Sequence, residues 1–256
     1  MKKCERKNSA NSSGQLFIVA ALTIAIIISS TTIYFHELNE KSNSVHHYPV
    51  IDAVLALKQS AKNTVISSLS NISNGGSKSN LEVNLNNLAR ILKNLAKAGM
   101  CHSSFTLIND SKYDCGTYLS WDKDGIGISS ACANFTLRIT GVTTNMIVDY
   151  AVNTTTMITI NGSYTRLDGE EKLVNLTCQV FNGEEPALTK SISLFYRNVT
   201  DWIPVNSSNN LSIIDYGNGT YFLSFTADIT TDVEVSMRVF DLRDIFVQAN
   251  TTCSEF

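Results

Sequence analysis

The stretch VNLTCQV, residues 174–180, decides the fold: Val174, Leu176, Cys178 and Val180 alternate with Asn175, Thr177 and Gln179. Side chains that switch between apolar and polar at every step belong to a strand with one buried and one wet face, as in an antiparallel sheet. The same period runs outward in both directions. Upstream, Phe135, Leu137 and Ile139 alternate with Asn134, Thr136 and Arg138, and Met146, Val148, Tyr150 and Val152 share a face. Downstream the apolar sets are Ile192, Leu194, Tyr196; Tyr221, Leu223, Phe225, Ala227; Val233, Val235, Met237, Val239; and Ile245, Val247, Ala249. A slip of one residue would turn any of these sets to the wrong side, so their register is strongly specified. Asn161-Gly162, Asp168-Gly169, Asn182-Gly183 and Gly217-Asn218-Gly219 read as turns at the spacing of an all-β sandwich. Phe222, Phe240 and Phe246 fall on the polar parity and mark either a contact surface or a face toward the rest of the chain.

N-x-Ser/Thr acceptor triplets are distributed along this region and just before it, at Asn71, Asn134, Asn153, Asn161, Asn175, Asn198, Asn206, Asn210, Asn218 and Asn250. Asn134, Asn175 and Asn250 take the polar parity of their strands, while Asn161, Asn206, Asn210 and Asn218 are expected in turns or loops. That outward placement predicts a glycosylated, extracellular domain.

Ahead of residue 101 the period is helical. Val50, Val54, Leu57, Ala61 and Val65 form one face of a helix over about 49–69, with Pro49 in its first turn. Gly75-Gly76 centres a loop. Ser79 and Glu82 form a capping box, Leu81, Leu85, Leu88, Leu92 and Leu95 follow at helical spacing, and Gly99 supplies the stop. Two antiparallel helices over 49–100 therefore make a hairpin, whose leucine stripe serves as a stalk or packs on the β domain.

Further toward the amino end, residues 15–35 read QLFIVAALTIAIIISSTTIYF, 21 residues without a charge. About 20 apolar residues span the hydrocarbon of a bilayer, and Tyr34 and Phe35 supply an aromatic anchor at its rim. A signal-peptide core is shorter and ends on small residues. Lys2, Lys3, Arg6 and Lys7 precede the segment, so the amino end is expected in the cytoplasm. Beyond it the chain carries 16 basic and 22 acidic residues, and that acidic balance excludes nucleic acid as a partner. The expected layout is a basic tail (1–14), a transmembrane helix (15–36), a linker (37–48), a helical hairpin (49–100) and a β domain (101–256).

Charged residues make up only 17 % of the chain. Cys4 lies before the anchor, leaving Cys101, Cys115, Cys132, Cys178 and Cys253 beyond it, an odd number. Cys101 and Cys115 bracket a short loop and are the favoured bridge. Cys178 points inward, as a core thiol or as one end of a bridge to Cys253. There is no C-x-x-C or Cys/His ligand spacing, and His36, His46, His47 and His102 form no metal motif. Trp121-Asp122-Lys123-Asp124-Gly125 is similar to a calcium loop but lacks its terminal Glu and reads as a hairpin turn. No G-x-S-x-G elbow or phosphate-cradling loop is present. The sequence thus implies no catalytic, cofactor or metal residue.

Two resemblances add to these readings. Asp215-Tyr216-Gly217-Asn218-Gly219-Thr220-Tyr221 resembles the D-x-G-x-Y tyrosine corner of immunoglobulin-like sandwiches, with two extra residues before Tyr221, and is similar to strand openings of bacterial and archaeal Ig-like surface domains. The basic residues, Gly14-Gln15 and the apolar helix look like the class III signal of archaeal type IV pilin-like proteins, with Val19 where such pilins carry Glu. The second resemblance implies cleavage before Gln15 and a helix used for assembly. The fold class expected is α+β: a transmembrane helix, a helical hairpin and an antiparallel Ig-like β-sandwich. The function expected is a non-enzymatic, single-pass surface glycoprotein for adhesion, envelope structure or pilus-like assembly, with a protein or cell-surface partner or further copies of itself. The alternative is a membrane-tethered extracytoplasmic enzyme or metal-binding accessory subunit.

Overall fold

The computed structural model describes residues 48–95, 101–121, 124–140, 145–167 and 169–256, together with Thr31. The chain divides into two compact units, Met1–Leu57 and Lys58–Phe256, and the fold below is that of the second. The expected transmembrane segment, 15–36, lies outside the described residues apart from Thr31; among the described residues no helix is long and apolar enough to cross a membrane.

Helix α1 spans Tyr48–Ser73 and α2 spans Asn80–Leu95, each longer or shorter by a few residues than its periodicity implied. Ala61, Val65, Leu69 and Ile72 recur at spacings of four, four and three and are buried, as are Leu81 and Leu85 of α2. Gly75 turns the chain between them with a left-handed φ of +93°. Asn84 Nδ2 donates to Ser68 Oγ at 3.0 Å and Asn80 Nδ2 to Asn71 Oδ1 at 2.6 Å, closing the hairpin. Ser79 does start α2, its carbonyl accepting from Val83 N, while its hydroxyl meets Ser77 Oγ at 2.8 Å.

The strands are β1 (Cys101–Leu107), β2 (Thr117–Trp121), β3 (Ile126–Thr140), β4 (Asn145–Arg166), β5 (Glu171–Asn182), β6 (Glu185–Pro186), β7 (Thr189–Asn198), β8 (Asp201–Pro204), β9 (Ser212–Asp215), β10 (Thr220–Asp228), β11 (Glu234–Asp241), β12 (Phe246–Thr252) and β13 (Ser254–Glu255). The first sheet runs β1-β3-β4-β5-β10-β9, with β2 on β3 and β6 on β5, and the second runs β12-β11-β7-β8. All pairings are antiparallel except β13, which runs parallel to β4. The fold is therefore mostly antiparallel sheet with two helices.

One face of the first sheet is covered twice. Val152 on β4, with Ala131, Ala133 and Phe135 on β3, packs under Val65, Leu69, Leu81 and Leu85 of the helices. Further along the same face, Ile158, Ile160 and Tyr164 of β4 join Val174, Leu176 and Cys178 of β5 against Met237, Val239 and Val247 of the second sheet. The leucine stripe thus packs on the β domain at Leu81 and Leu85, and Leu88 and Leu92 are half-buried. Every apolar set from Tyr221 to Ala249 that the alternation assigned inward is buried.

The seam between the two cores is the β11–β12 turn. Asp241 is fully buried, and its carboxylate accepts from Thr156 Oγ1 (2.8 Å), Arg243 N (2.8 Å), Arg243 Nε (2.8 Å) and Ile245 N (3.0 Å). Arg243 Nη2 reaches on to Asn182 Oδ1 at 2.6 Å and to the Thr155 carbonyl at 3.2 Å. The Asp244 carbonyl accepts from Ser70 Oγ and Asn74 Nδ2 of the helical hairpin, and Phe246 N donates to Ser73 Oγ.

Two expectations are corrected. Asn161-Gly162 is not a turn but the middle of β4, where Asn161 pairs with Thr177 and Gly162 with Leu176. Glycine is required for closeness rather than for turning: a Cβ there would stand 2.4 Å from Leu176 Cδ2 and 2.5 Å from Cys253 Sγ. The Cys101–Cys115 bridge is ruled out by strand geometry. Cys101 begins β1 opposite Ile139, whereas Cys115 follows the far end of β1, beside Gly116, whose carbonyl accepts from Cys132 N. Seven strand residues separate those levels, roughly 23 Å at the rise of a strand, against the ~7 Å limit between bridged Cα atoms. Cys115, Cys132, Cys178 and Cys253 are free thiols, so Cys178 is a core thiol and no disulfide joins the described residues.

Replacing Asp241 with Ala leaves the Arg243 guanidinium largely buried without its counter-charge and should lower stability by about 3 kcal/mol, read as a fall in urea midpoint with unchanged slope. Gly162→Ala should cost about 1–3 kcal/mol through the forced shift of Leu176 and Cys253; a neutral result in the same titration would contradict the close approach.

Candidate functional site

Reaction chemistry finds little to build on. His102 is exposed on β1, and His36, His46 and His47 lie outside the described residues. Among the described residues no group of three His, Cys, Asp or Glu side chains could hold a metal ion. The register of β2 on β3 pairs Trp121 with Gly127, and residues 122 and 123 of the stretch read as a hairpin turn lie outside the described residues. A groove of about 580 Å³ opens between α2 and β1, lined by Glu82, Asn86, His102, Phe105, Asn109 and Cys115. Its thiol is not an activated one. The Asp114 carboxylate, hydrogen-bonded to it, raises the Cys115 pKa, whereas a nucleophilic thiol needs a neighbour that lowers it. Lys78 Nζ binds that same carboxylate at 2.7 Å and holds its pKa down.

An eleventh triplet, Asn109-Asp110-Ser111, escaped the reading of the sequence, and Asn109 is exposed just after β1. The ten acceptor asparagines named above are all described, and none is buried. Eight are exposed, and Asn175 and Asn250 are half-buried. Asn134, Asn153, Asn161 and Asn175 occupy the outer face of the first sheet, and Asn210 and Asn218 lie on either side of its edge strand β9. Asn71 is on α1, Asn198 ends β7, and Asn206 caps the short turn before β9 with Oδ1 accepting from Ser208 N at 2.8 Å. Only Asn250 stands on the outer face of the second sheet, where Gln248 Nε2 donates to its Oδ1 at 3.2 Å.

That second outer face has a different composition. Strand registers set its side chains in rows: Trp202, Arg197, Glu234 and Thr252; then Pro204, Phe195, Ser236 and Asn250; then Ser193, Arg238 and Gln248; then Ser191, Phe240 and Phe246. Arg197 Nη1 donates to Glu234 Oε2 at 2.7 Å. The Arg238 guanidinium lies 4.4 Å over the Phe195 ring, a stacked cation–π contact. Phe246 meets Trp121 edge-on at 5.0 Å and Phe240 at 5.3 Å. Two open hollows of about 360 and 300 Å³ share Arg197 and Glu234, and Trp202, 38 % exposed, lines the second. Ser236 Oγ and Arg238 Nε are buried with no hydrogen-bond partner, two of three such side-chain atoms among the described residues. Aromatic and arginine side chains around desolvated, unsatisfied polar groups make a surface suited to covering by another molecule.

The sequence flagged Phe240 and Phe246 on this face, and both are half-buried there. Phe222 is on the other sheet, across from Ile214 on β9. Phe195, Arg197, Trp202 and Arg238 were missed as a group. The available signal was Phe195 standing on the polar parity of its strand between Ser193 and Arg197.

An antiparallel β protein with a helical hairpin on one face of its larger sheet is the class that the fold defines. No family model matches the chain, and no curated protein is detectably similar to it.

Cys178 and Cys253 are both pushed up to about 12 by burial. At pH 8 that leaves a thiolate fraction near ~1 in 10,000, so a thiol reagent should label Cys115 in the native protein and reach Cys178 and Cys253 only on unfolding. Asp114→Asn removes the group that raises the Cys115 thiol and should speed its labelling; mass spectrometry of the labelled peptides reads both effects.

Proposed function

We propose that the chain is a non-enzymatic, single-pass, amino-anchored surface glycoprotein that presents an Ig-like sandwich on a helical hairpin for adhesion, envelope structure or pilus-like assembly. The observation that carries the reading is that none of the eleven acceptor asparagines is buried in a sheet protein whose alternate residues are. Half of the strand positions point inward, and a sugar acceptor there would have no room for a glycan. The Ig-like part draws on strand order. The order β4-β5-β10-β9 facing β12-β11-β7 follows the A-B-E-D and G-F-C arrangement of immunoglobulin sandwiches, with β8 in the place of C′.

Two departures from the family pattern accompany it. The Asp215–Tyr221 motif falls on the β9–β10 hairpin rather than the corner before the sixth strand, although Tyr221 Oη does accept from an upstream backbone group, Thr189 N, at 3.0 Å. Cys178 on the second strand of the set has no cysteine opposite it on β11.

Recognition on this reading is burial of the outer face of the second sheet, without bond-making. Phe195, Trp202, Phe240 and the stacked Arg238 supply the anchors.

External protease should remove a carboxyl-terminal tag from intact cells, and a tag protected from it, or recovered in the cytosol, would overturn the reading. Trp202→Ala should weaken adhesion or envelope retention about tenfold, an ordinary loss for an interface aromatic, without lowering the melting temperature. A mature chain starting at Gln15 on amino-terminal sequencing would favour the pilus-like form over simple anchoring.

A further inference from the structure

We infer that saccharides linked to Asn210 and Asn218 guard the free edge of the first sheet against pairing with a second copy of the chain. The inference rests on the glycoprotein reading above and assigns a task to two of its eleven sites.

Strand β9 pairs on one side only, with β10, and all four of its residues are exposed. Ile213 and Ile214 are 45 % and 48 % exposed. A bare edge with apolar side chains is a template for another strand, and proteins normally blunt such an edge with Lys, Pro, a bulge or a covering element. Beyond its short length and Asp215 at its end, β9 carries none of these. Its sequence is Ser-Ile-Ile-Asp and its register with β10 is unbroken. The other ends of the two sheets differ: β1 lies beside α2, β8 carries Pro204, and β12 is met by Gly125 N at the Asn250 carbonyl and by Ser129 Oγ at the Phe246 carbonyl.

A second copy fits the edge because the strand complements itself. Antiparallel pairing of two β9 strands about a two-fold at Ile213 sets Ile213 against Ile213 and Ser212 against Ile214, with no like charges opposed. Two acceptor sites flank this strand. Asn210, two residues before Ser212, is exposed at a left-handed φ of 54°. Asn218, three residues after Asp215, is exposed in the β9–β10 turn, its Oδ1 accepting from Thr220 N at 3.1 Å, which leaves Nδ2 as the free end. A strand of four residues is only about 10 Å long. Branched polar chains rooted at both ends leave no run of backbone on which another strand could form its ladder. The linkage itself is ordinary: a glycosyl phosphate donor transfers its sugar so that Nδ2–C1 forms, the C1–O bond to phosphate breaks, and the amide loses one proton.

The test uses the full chain, made in a host that glycosylates exported proteins and purified in detergent, with glycopeptide mapping and sedimentation velocity. Asn210→Gln with Asn218→Gln should move the main species to twice the parent mass or more, while Asn134→Gln with Asn153→Gln leaves the parent mass unchanged. Adding Ile213→Lys to the first pair should restore the parent mass. Occupied Asn210 and Asn218 with no change of mass on their removal overturns the inference. So does finding both empty while other sites carry sugar, a result that leaves the glycoprotein reading standing. Sugar at none of the eleven sites removes both.

Discussion

The carboxylate of Asp241 is the point at which the two sheets and the helical hairpin are held to one another. It is fully buried in a turn, accepts four hydrogen bonds, and takes its counter-charge from Arg243 two residues on. Through Thr156 it grips β4, through Arg243 and Asn182 it reaches β5, and the next residues of the turn bond to Ser70, Ser73 and Asn74 of the hairpin. Burying such a pair adds little net stability, because desolvation offsets most of the attraction, but breaking it is costly. Four donors converge on this one carboxylate, so moving the β11–β12 turn would leave them unsatisfied.

Around that turn, β4 acts as a common wall. Its 22 residues let one continuous face serve the helices at Val152 and the second sheet from Ile158 onward. Gly162 allows the carboxyl-terminal Cys253 to close against the strand where any side chain would intrude. Length and one missing Cβ together let a single sheet carry two cores, so the hairpin needs no separate domain of its own.

The two outer faces then divide by chemistry. The first is a field of Thr, Asn and Ser bearing four acceptor sites, and the second gathers Phe195, Trp202, Phe240, Phe246 and two arginines. The parity that buries the core sorts these side chains outward, and nothing in the packing requires aromatics on the second face. Their presence there is what supports the proposal that a partner covers that face.

Alternation by itself determined the strands and which way each points, because a period of two has only two answers and burial selects one; Val174 to Val180 and Val233 to Val239 needed nothing more. Helical spacing likewise sufficed for Leu81 and Leu85. Tertiary structure alone decided whether an Asn-Gly pair turns the chain, since Gly162 serves an approach by Cys253 from 91 residues away in sequence. It alone separated Cys101 from Cys115, because the span of β1 between them depends on pairing with β3. The partnering of Asp241 and the gathering of Trp202, Arg197 and Arg238 were equally invisible in sequence. Local patterns report which face of an element is wet, whereas which elements share that face is fixed by contacts between residues far apart along the chain.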